Sequence, residues 1–237
     1  MRLYTDDKIG FVELIDKMQN DAALKVVNSA RISHANHKEE FDEGDKKLVK
    51  FLWDHEHTSP FRHTYYTFHL KAPICVFNQW KKYQIGSTWL TNEMYDTDKG
   101  CSWNEVSGRY TQLKPEFYIP TVFRSNVKGN KQASEVNDEL DHKYLYESYS
   151  DCCDDLYSLY DSLVAGGVAK EQARMILPQN IYSESYWTVS LQAALHFLHQ
   201  RLAPDAQYEI RMYAELIYKL VEEDLNKMGI SKDDLLK

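Results

Sequence analysis

Over residues 65–76 the hydrophobic period falls to two: Tyr66, Phe68, Leu70 and Ala72 alternate with Thr67, His69 and Lys71. A strand with one buried face requires that alternation, because successive side chains leave a pleated backbone on opposite sides. Most of the remaining chain keeps a helical period. The sheet that this strand joins must therefore pack against helices, and an α+β architecture follows.

Residues 10–28 predict a helix, with Phe11, Leu14, Ile15 and Met18 followed by Ala22, Ala23, Leu24, Val26 and Val27 at helical spacing. The polar stretch 33–45 predicts a surface loop, and 45–55 a helix with Leu48, Phe51, Leu52 and Trp53 as its stripe, stopped near Thr58-Ser59-Pro60. Another helix begins near Val76 and carries Gln79, Trp80 and Lys82. Residues 87–102 have neither period, and a loop of that length is usually functional or mobile. A long helix fits 136–165, with Leu140, Tyr144, Leu145, Tyr149, Leu156, Leu159, Tyr160 and Leu163 along one face and Gly166-Gly167 as its stop. A shorter helix from about 169 to Leu177-Pro178, a strand over 182–189 and a helix over 190–201 follow. The last helix starts at Pro204, which suits a first helical turn, and runs to about Lys227. No repeat, low-complexity tract or linker divides residues 1–237, so one domain with a mixed sheet and long helices is expected.

With 43% hydrophobic residues in 237 the chain can bury a full core, yet its apolar runs are too short and too often broken by charge to span a bilayer. The start, Met1 to Asp7, lacks the apolar stretch of a secretory signal. A cytoplasmic location is expected, in the host cytoplasm if the source is a virus, with no membrane partner. The four cysteines show neither metal nor disulfide spacing, which fits that compartment. A net charge of −8 argues against binding a nucleic acid polymer, whereas a few arginines in one pocket still suffice for a small anion. The 17 tyrosines and five tryptophans are mostly explained by core packing, although a flavin or pterin would stack on the same residue types.

Ser107, Gly108 and Arg109 make a natural phosphate cradle: a hydroxyl, a backbone amide open to close approach, and a planar fork that matches phosphate bidentately. On these residues alone, a solvated loop beside a strand has the stronger claim. His55, His57 and His63 lie close together, and His196 and His199 are three apart, but no acidic residue completes a zinc pattern. No metal is expected, and a folate or flavin contact is the reading for His57.

A series of ordered blocks changes the balance. They include Gly10-Phe11-Val12-Glu13-Leu14, Ser29-Ala30-Arg31-Ile32-Ser33, His57-Thr58-Ser59-Pro60-Phe61-Arg62-His63, and Trp103-Asn104-Glu105-Val106-Ser107-Gly108-Arg109-Tyr110. Ala173-Arg174-Met175-Ile176-Leu177-Pro178, Phe197-Leu198-His199-Gln200-Arg201 and Ala206-Gln207-Tyr208-Glu209-Ile210-Arg211 continue the series. Together they resemble the flavin-dependent thymidylate synthase family nearly throughout the chain, to about residue 218. The resemblance implies an α+β domain assembled as a homotetramer, with FAD and nucleotide held between subunits. It also implies that Gln79, Lys82, Glu105, Ser107, Gly108, Arg109, Arg174 and Arg201 hold a pyrimidine deoxynucleotide monophosphate, with Arg201, Arg174 and Glu105 serving catalysis. Arg201 matches the arginine along the pyrimidine edge, where it stabilises negative charge as C5 becomes nucleophilic. A helix-terminal arginine complementing the dipole is the plainer reading of that residue. No cysteine lies in a recognisable nucleophile motif, in keeping with attack by C5 without prior thiol addition.

On the flavin side, Ser33, His57, Ser59 and Asn104 match the family, whereas the other expected cofactor-binding positions, Arg62, Tyr83, Gln84, Ser190, Gln192 and His196, depart from it. Lys82-Tyr83-Gln84 stands where the family has Arg-His-Arg, and about fifteen residues are inserted before Trp103. Arg62 replaces an acidic residue, Gln192 an arginine, and Ser190 and His196 two asparagines. Loss of positive charge should alter stabilisation of the anionic reduced flavin. The expected chemistry is transfer of a one-carbon unit from methylenetetrahydrofolate to C5 of dCMP or dUMP. Because the departures gather around the flavin, the expected outcome is hydroxymethylation of dCMP, as in dCMP hydroxymethylases of this superfamily that serve phages modifying their DNA. Reductive methylation of dUMP with NADPH is the alternative. An inactive homologue that only binds flavin or nucleotide is another, opposed by Arg109, Arg174 and Arg201.

Overall fold

The computed structural model describes residues 1–18, 21–83, 102–130 and 132–237. Strands β1 (Arg2–Tyr4) and β2 (Phe11–Lys17) lead into helices α1 (Ala22–Arg31) and α2 (Glu43–Asp54). Then come β3 (Tyr65–Pro73), α3 (Ile74–Trp80), β4 (Ser102–Glu105), and a hairpin of β5 (Arg124–Asn126) and β6 (Ser134–Val136). Helices α4 (His142–Ala165) and α5 (Lys170–Ala173), strand β7 (Tyr182–Ser190), and helices α6 (Leu191–Arg201), α7 (Tyr208–Met228) and α8 (Lys232–Leu235) complete the chain. Gln84 and most of the expected loop 87–102 lie outside the described residues.

The main sheet has the order β1-β2-β3-β7-β4 and is antiparallel at every pairing, not mixed as expected from the sequence. Strand β3 pairs with β7 along its whole length, from Tyr65 opposite Ser190 to Pro73 opposite Tyr182. Its alternation is realised: Tyr66, Phe68, Leu70 and Ala72 are fully buried and share one core cluster with Trp80, Trp187, Phe197, Tyr213 and Ile217. Proline cannot donate to a ladder, so Pro73 is the last strand residue and the chain turns directly into α3.

The helix expected over 10–28 is two elements. Phe11–Lys17 is a strand between β1 and β3, and only Ala22–Arg31 is helical. A β-bulge between Leu14 and Asp16 breaks the alternation, so Phe11, Leu14, Ile15 and Met18 mimic helical spacing while Ile15 and Met18 are exposed. The long helix begins at His142, capped by Asp141, because Val136 is held in the β5–β6 hairpin. Of its supposed apolar face only Tyr160 is fully buried, alongside Cys153, whereas Tyr144, Tyr149 and Leu159 are exposed. Helix α7 starts at Tyr208 rather than Pro204, because residues 203–206 form a turn closed by the Ala206 N–H on the Ala203 carbonyl. No helix among the described residues is long and apolar enough to cross a membrane.

The supposed loop 33–45 contains a short 3₁₀ turn at Ile32–His34 and the first turn of α2, where Asp42 and Asp45 form a capping box. Asp45 is buried and accepts from Arg31 at 2.6 Å and Lys38 at 2.7 Å, fastening α1 to α2. Burial pushes its carboxyl up, but hydrogen bonds from Lys38, the Asp42 N–H and Arg31 outweigh this, and it lies below the ordinary carboxylate value. Lys38 and the Asp45 N–H bring Asp42 down to about 2. Both folded pKa values are depressed, so the stability from these groups is fully present above about pH 4 and is lost as pH falls towards 2. Asp45→Asn should melt below wild type at pH 6, and the gap should close on acidification. A gap in Tm that did not change from pH 6 to pH 2.5 would remove the charge from this account.

Candidate active site

Strand β4 runs straight into the Glu105 to Tyr110 segment, and its pairing with β7 continues as the Val106 N–H bonds the Glu184 carbonyl. The chain then turns, with the Tyr110 and Thr111 N–H groups on the Ser107 carbonyl. A pocket of about 140 Å³ opens there, lined by Glu105, Gly108 and Arg174 among others. Gly108 packs closely under Arg174: a Cβ would lie 3.0 Å from Arg174 Cδ, which would have to shift, and 3.6 Å from Leu113 Cδ1. Three of the expected nucleotide residues thus line one pocket although Arg174 comes from the turn after α5. Ser107 Oγ accepts from the Arg109 N–H, and the exposed Arg109 guanidinium lies 5.0 Å from the Tyr110 ring centroid.

Gln79 and Lys82 lie outside the lining of this pocket, on α3 and just beyond it. Lys82 is exposed. Lys81 is the lysine that reaches the pocket, through an ion pair with Glu105, whose carboxylate also accepts from Trp103 Nε1 at 3.3 Å. Nothing in the local sequence distinguishes Lys81 from Lys82, and only the end of α3 at Trp80 decides which amine meets Glu105.

The expected flavin contacts Ser33, His57, Ser59 and Arg62 line a second, larger and open pocket of about 840 Å³, with Arg31 and Phe51 also in its wall. Arg31 Nε is buried there without a hydrogen-bond partner among the described residues. Two arginines, one with an unused donor, and an exposed aromatic ring fit a large anionic, aromatic cofactor. Arg62 Nε donates to Gln192 Oε1 at 2.5 Å. These two departures from the family therefore occur as one bonded pair.

The remaining flavin positions divide differently. Ser190 is fully buried and its Oγ accepts from the Ala193 N–H, so it caps α6 and has no free surface to offer a ligand. Asn104 is exposed on β4, the strand at one edge of the sheet. Tyr83 is buried, edge-on to Phe197 at 5.2 Å and beside His196 at 5.5 Å, with the Arg201 guanidinium 5.2 Å from its ring centroid. Tyr83 is thus a platform for Arg201. Burial pushes its phenol up although Arg201 opposes this, and burial together with His199 lowers the His196 pKa. Arg201 Nε is buried without a hydrogen-bond partner among the described residues.

The chain is similar to several known proteins. The family model of the thymidylate synthase complementing protein, Thy1, matches residues 13–225. A flavin-dependent thymidylate synthase of Thermus thermophilus is 42% identical over 216 residues, covering 90% of this chain and 72% of the relative. Another, of Thermosipho africanus, is 39% identical over 215 residues, covering 90% of this chain and 86% of the relative. A crystal structure of the UMP/dUMP methylase PolB from Streptomyces cacaoi bound with 5-Br dUMP superposes with a TM-score of 0.76 at 28% identity, covering 94% of this chain and 96% of the other.

Proposed function

The chain belongs to the thymidylate synthase complementing protein family, and from that premise we propose that it methylates C5 of dUMP, taking the carbon from methylenetetrahydrofolate and using FAD. The observation that carries this reading is the pocket where Arg174 crosses Gly108 beside Glu105, in a chain whose 42% identical relative bears the name flavin-dependent thymidylate synthase. Ser107, the Gly108 amide, Arg109 and Arg174 hold the monophosphate, with Gln79, Lys82 and Glu105 around the nucleoside. Arg201, backed by Tyr83, lies along the pyrimidine edge and stabilises negative charge on the ring as C5 attacks the donor carbon. FAD, when bound, supplies the hydride that reduces the transferred carbon to a methyl group, and NADPH supplies the two electrons consumed overall. Ser33, His57, Ser59 and Arg62 are the residues that hold it.

Glu105, Gly108 and Arg174 line one pocket of the chain, and Ser33, His57, Ser59 and Arg62 line another. Apolar and aromatic side chains of α4 stand exposed, Tyr144 and Leu159 among them. Both observations support a homotetramer in which a site is completed by neighbouring copies.

Hydroxymethylation of dCMP, the outcome expected from the sequence, has less support. The named relatives are thymidylate synthases, and the reason for expecting a changed flavin site weakens, since Tyr83 packs against Arg201 and Arg62 bonds Gln192. The two reactions differ in electrons: methylation adds CH₂ and consumes a reductant, whereas hydroxymethylation adds CH₂O and consumes none. Incubation of the FAD-loaded protein with methylenetetrahydrofolate and either nucleotide should give dTMP from dUMP only when NADPH is present. A dCMP product heavier by CH₂O without NADPH, and no dTMP, would reverse the assignment.

A further inference from the structure

The amide of Gln79 is not free to choose which end it presents. Gln79 Nε2 donates to Gln207 Oε1, and Gln207 Nε2 donates to Glu209 Oε2 at 2.8 Å. Glu209 lies in the first turn of α7, and a carboxylate can only accept. Its other oxygen accepts from the Tyr118 hydroxyl at 3.4 Å. Burial first, and then the charge of Glu209, push the Tyr118 phenol far above its ordinary value, so that hydroxyl stays a donor.

The direction of the whole relay follows from its base. Glu209 obliges Gln207 to turn its NH₂ inward, which leaves the Gln207 oxygen to face Gln79. That oxygen in turn draws the Gln79 NH₂, and Gln79 Oε1 is left pointing away from the relay.

We propose that Glu209, acting through Gln207, is a positioning device that fixes Gln79 as a hydrogen-bond acceptor, so that the nucleotide must meet it with a donor: a ring N–H or a sugar hydroxyl. The proposal rests on the reading of Gln79 as a nucleotide-facing residue. A freely rotating amide satisfies donor and acceptor alike by exchanging its ends, whereas a fixed one penalises a ligand that has lost its donor. Gln207 and Glu209 thereby become specificity determinants.

The test is calorimetric binding of dUMP, of its N3-methyl form and of its 3′-deoxy form to wild type, Gln207→Leu and Gln207→Glu. In wild type one analogue should bind about tenfold more weakly than dUMP, and which one it is identifies the donor. In Gln207→Leu the Gln79 amide is released and that penalty should shrink to about twofold. In Gln207→Glu, whose carboxylate still accepts from Gln79, it should be kept. A merely structural role for Gln207 would weaken all three nucleotides alike, and a steric clash with the added methyl would persist in Gln207→Leu. An analogue penalty that is the same in wild type and Gln207→Leu, or absent from wild type, overturns the proposal while leaving the proposed function standing. Failure of wild type to bind dUMP at all overturns both.

Discussion

Arg201→Ala should lower kcat/KM for dUMP by about 10- to 150-fold, corresponding to the roughly 1.5–3 kcal/mol contributed by a hydrogen bond to a charged group. Three features of the site motivate this magnitude. The guanidinium is held 5.2 Å from the Tyr83 ring centroid, so its orientation is set before a ligand arrives. Its Nε is buried and has no hydrogen-bond partner among the described residues, so no protein acceptor competes for that atom. Tyr83 is itself buried against Phe197 and cannot swing aside. Arg201→Lys keeps the charge but not the planar fork, and should recover only part of the loss. Because Arg201 also ends α6, Tm must be measured beside the kinetics; a mutant with unchanged kcat/KM would remove Arg201 from the pyrimidine edge.

Trp80→Ala should destabilise the fold by about 3–5 kcal/mol, lowering Tm by roughly 6–20 °C. Trp80 is fully buried, stacked on Phe197 at 4.8 Å and edge-on to Trp187 at 5.5 Å, with Tyr213 at 5.7 Å. It joins α3, β7, α6 and α7 in one contact, so little can collapse into the space it leaves. Trp80→Leu refills part of the cavity and should fall between. Trp103 sits half-buried on the edge strand, and Trp103→Ala should cost clearly less. Equal thermal losses for the two tryptophans would contradict a core centred on α3.

The strands β3 and β7 and the helix α6 are legible because each carries a period matched to its burial, whereas in α2 the expected stripe residue Phe51 is exposed and Val49 is buried instead. Strand β2 is not legible, because one bulged residue shifts the apolar positions from a period of two towards three and four. Helix α4 starts later than its spacing predicts because Val136 and Leu140 extend a helical pattern backwards into a hairpin and a turn. Sequence periodicity also assigned an inward face to α4 that the single chain leaves exposed. Periodicity records that a face is apolar and says nothing about what covers it.

The site divides along the same line. The block from Glu105 to Arg109, Arg174 and Arg201 is marked by its resemblance to a known family, and a Cβ at Gly108 would press on the Arg174 side chain at 3.0 Å. Which partner each of them takes depends on groups far apart along the chain. Lys81 and not Lys82 meets Glu105, Tyr83 underlies Arg201, Arg62 bonds Gln192, and Glu209 sets the direction of Gln79 through Gln207. The alternation of β3 and the helical spacing of α6 are local properties of residue type and order, and they can be read from the chain alone, whereas the candidate site residues were singled out only by the family resemblance. Strand order, the buried platform under Arg201 and the polarity of the amide relay emerge only in the folded chain, because hydrogen-bond direction and ring contact depend on distances of a few ångströms that spacing along the chain does not encode.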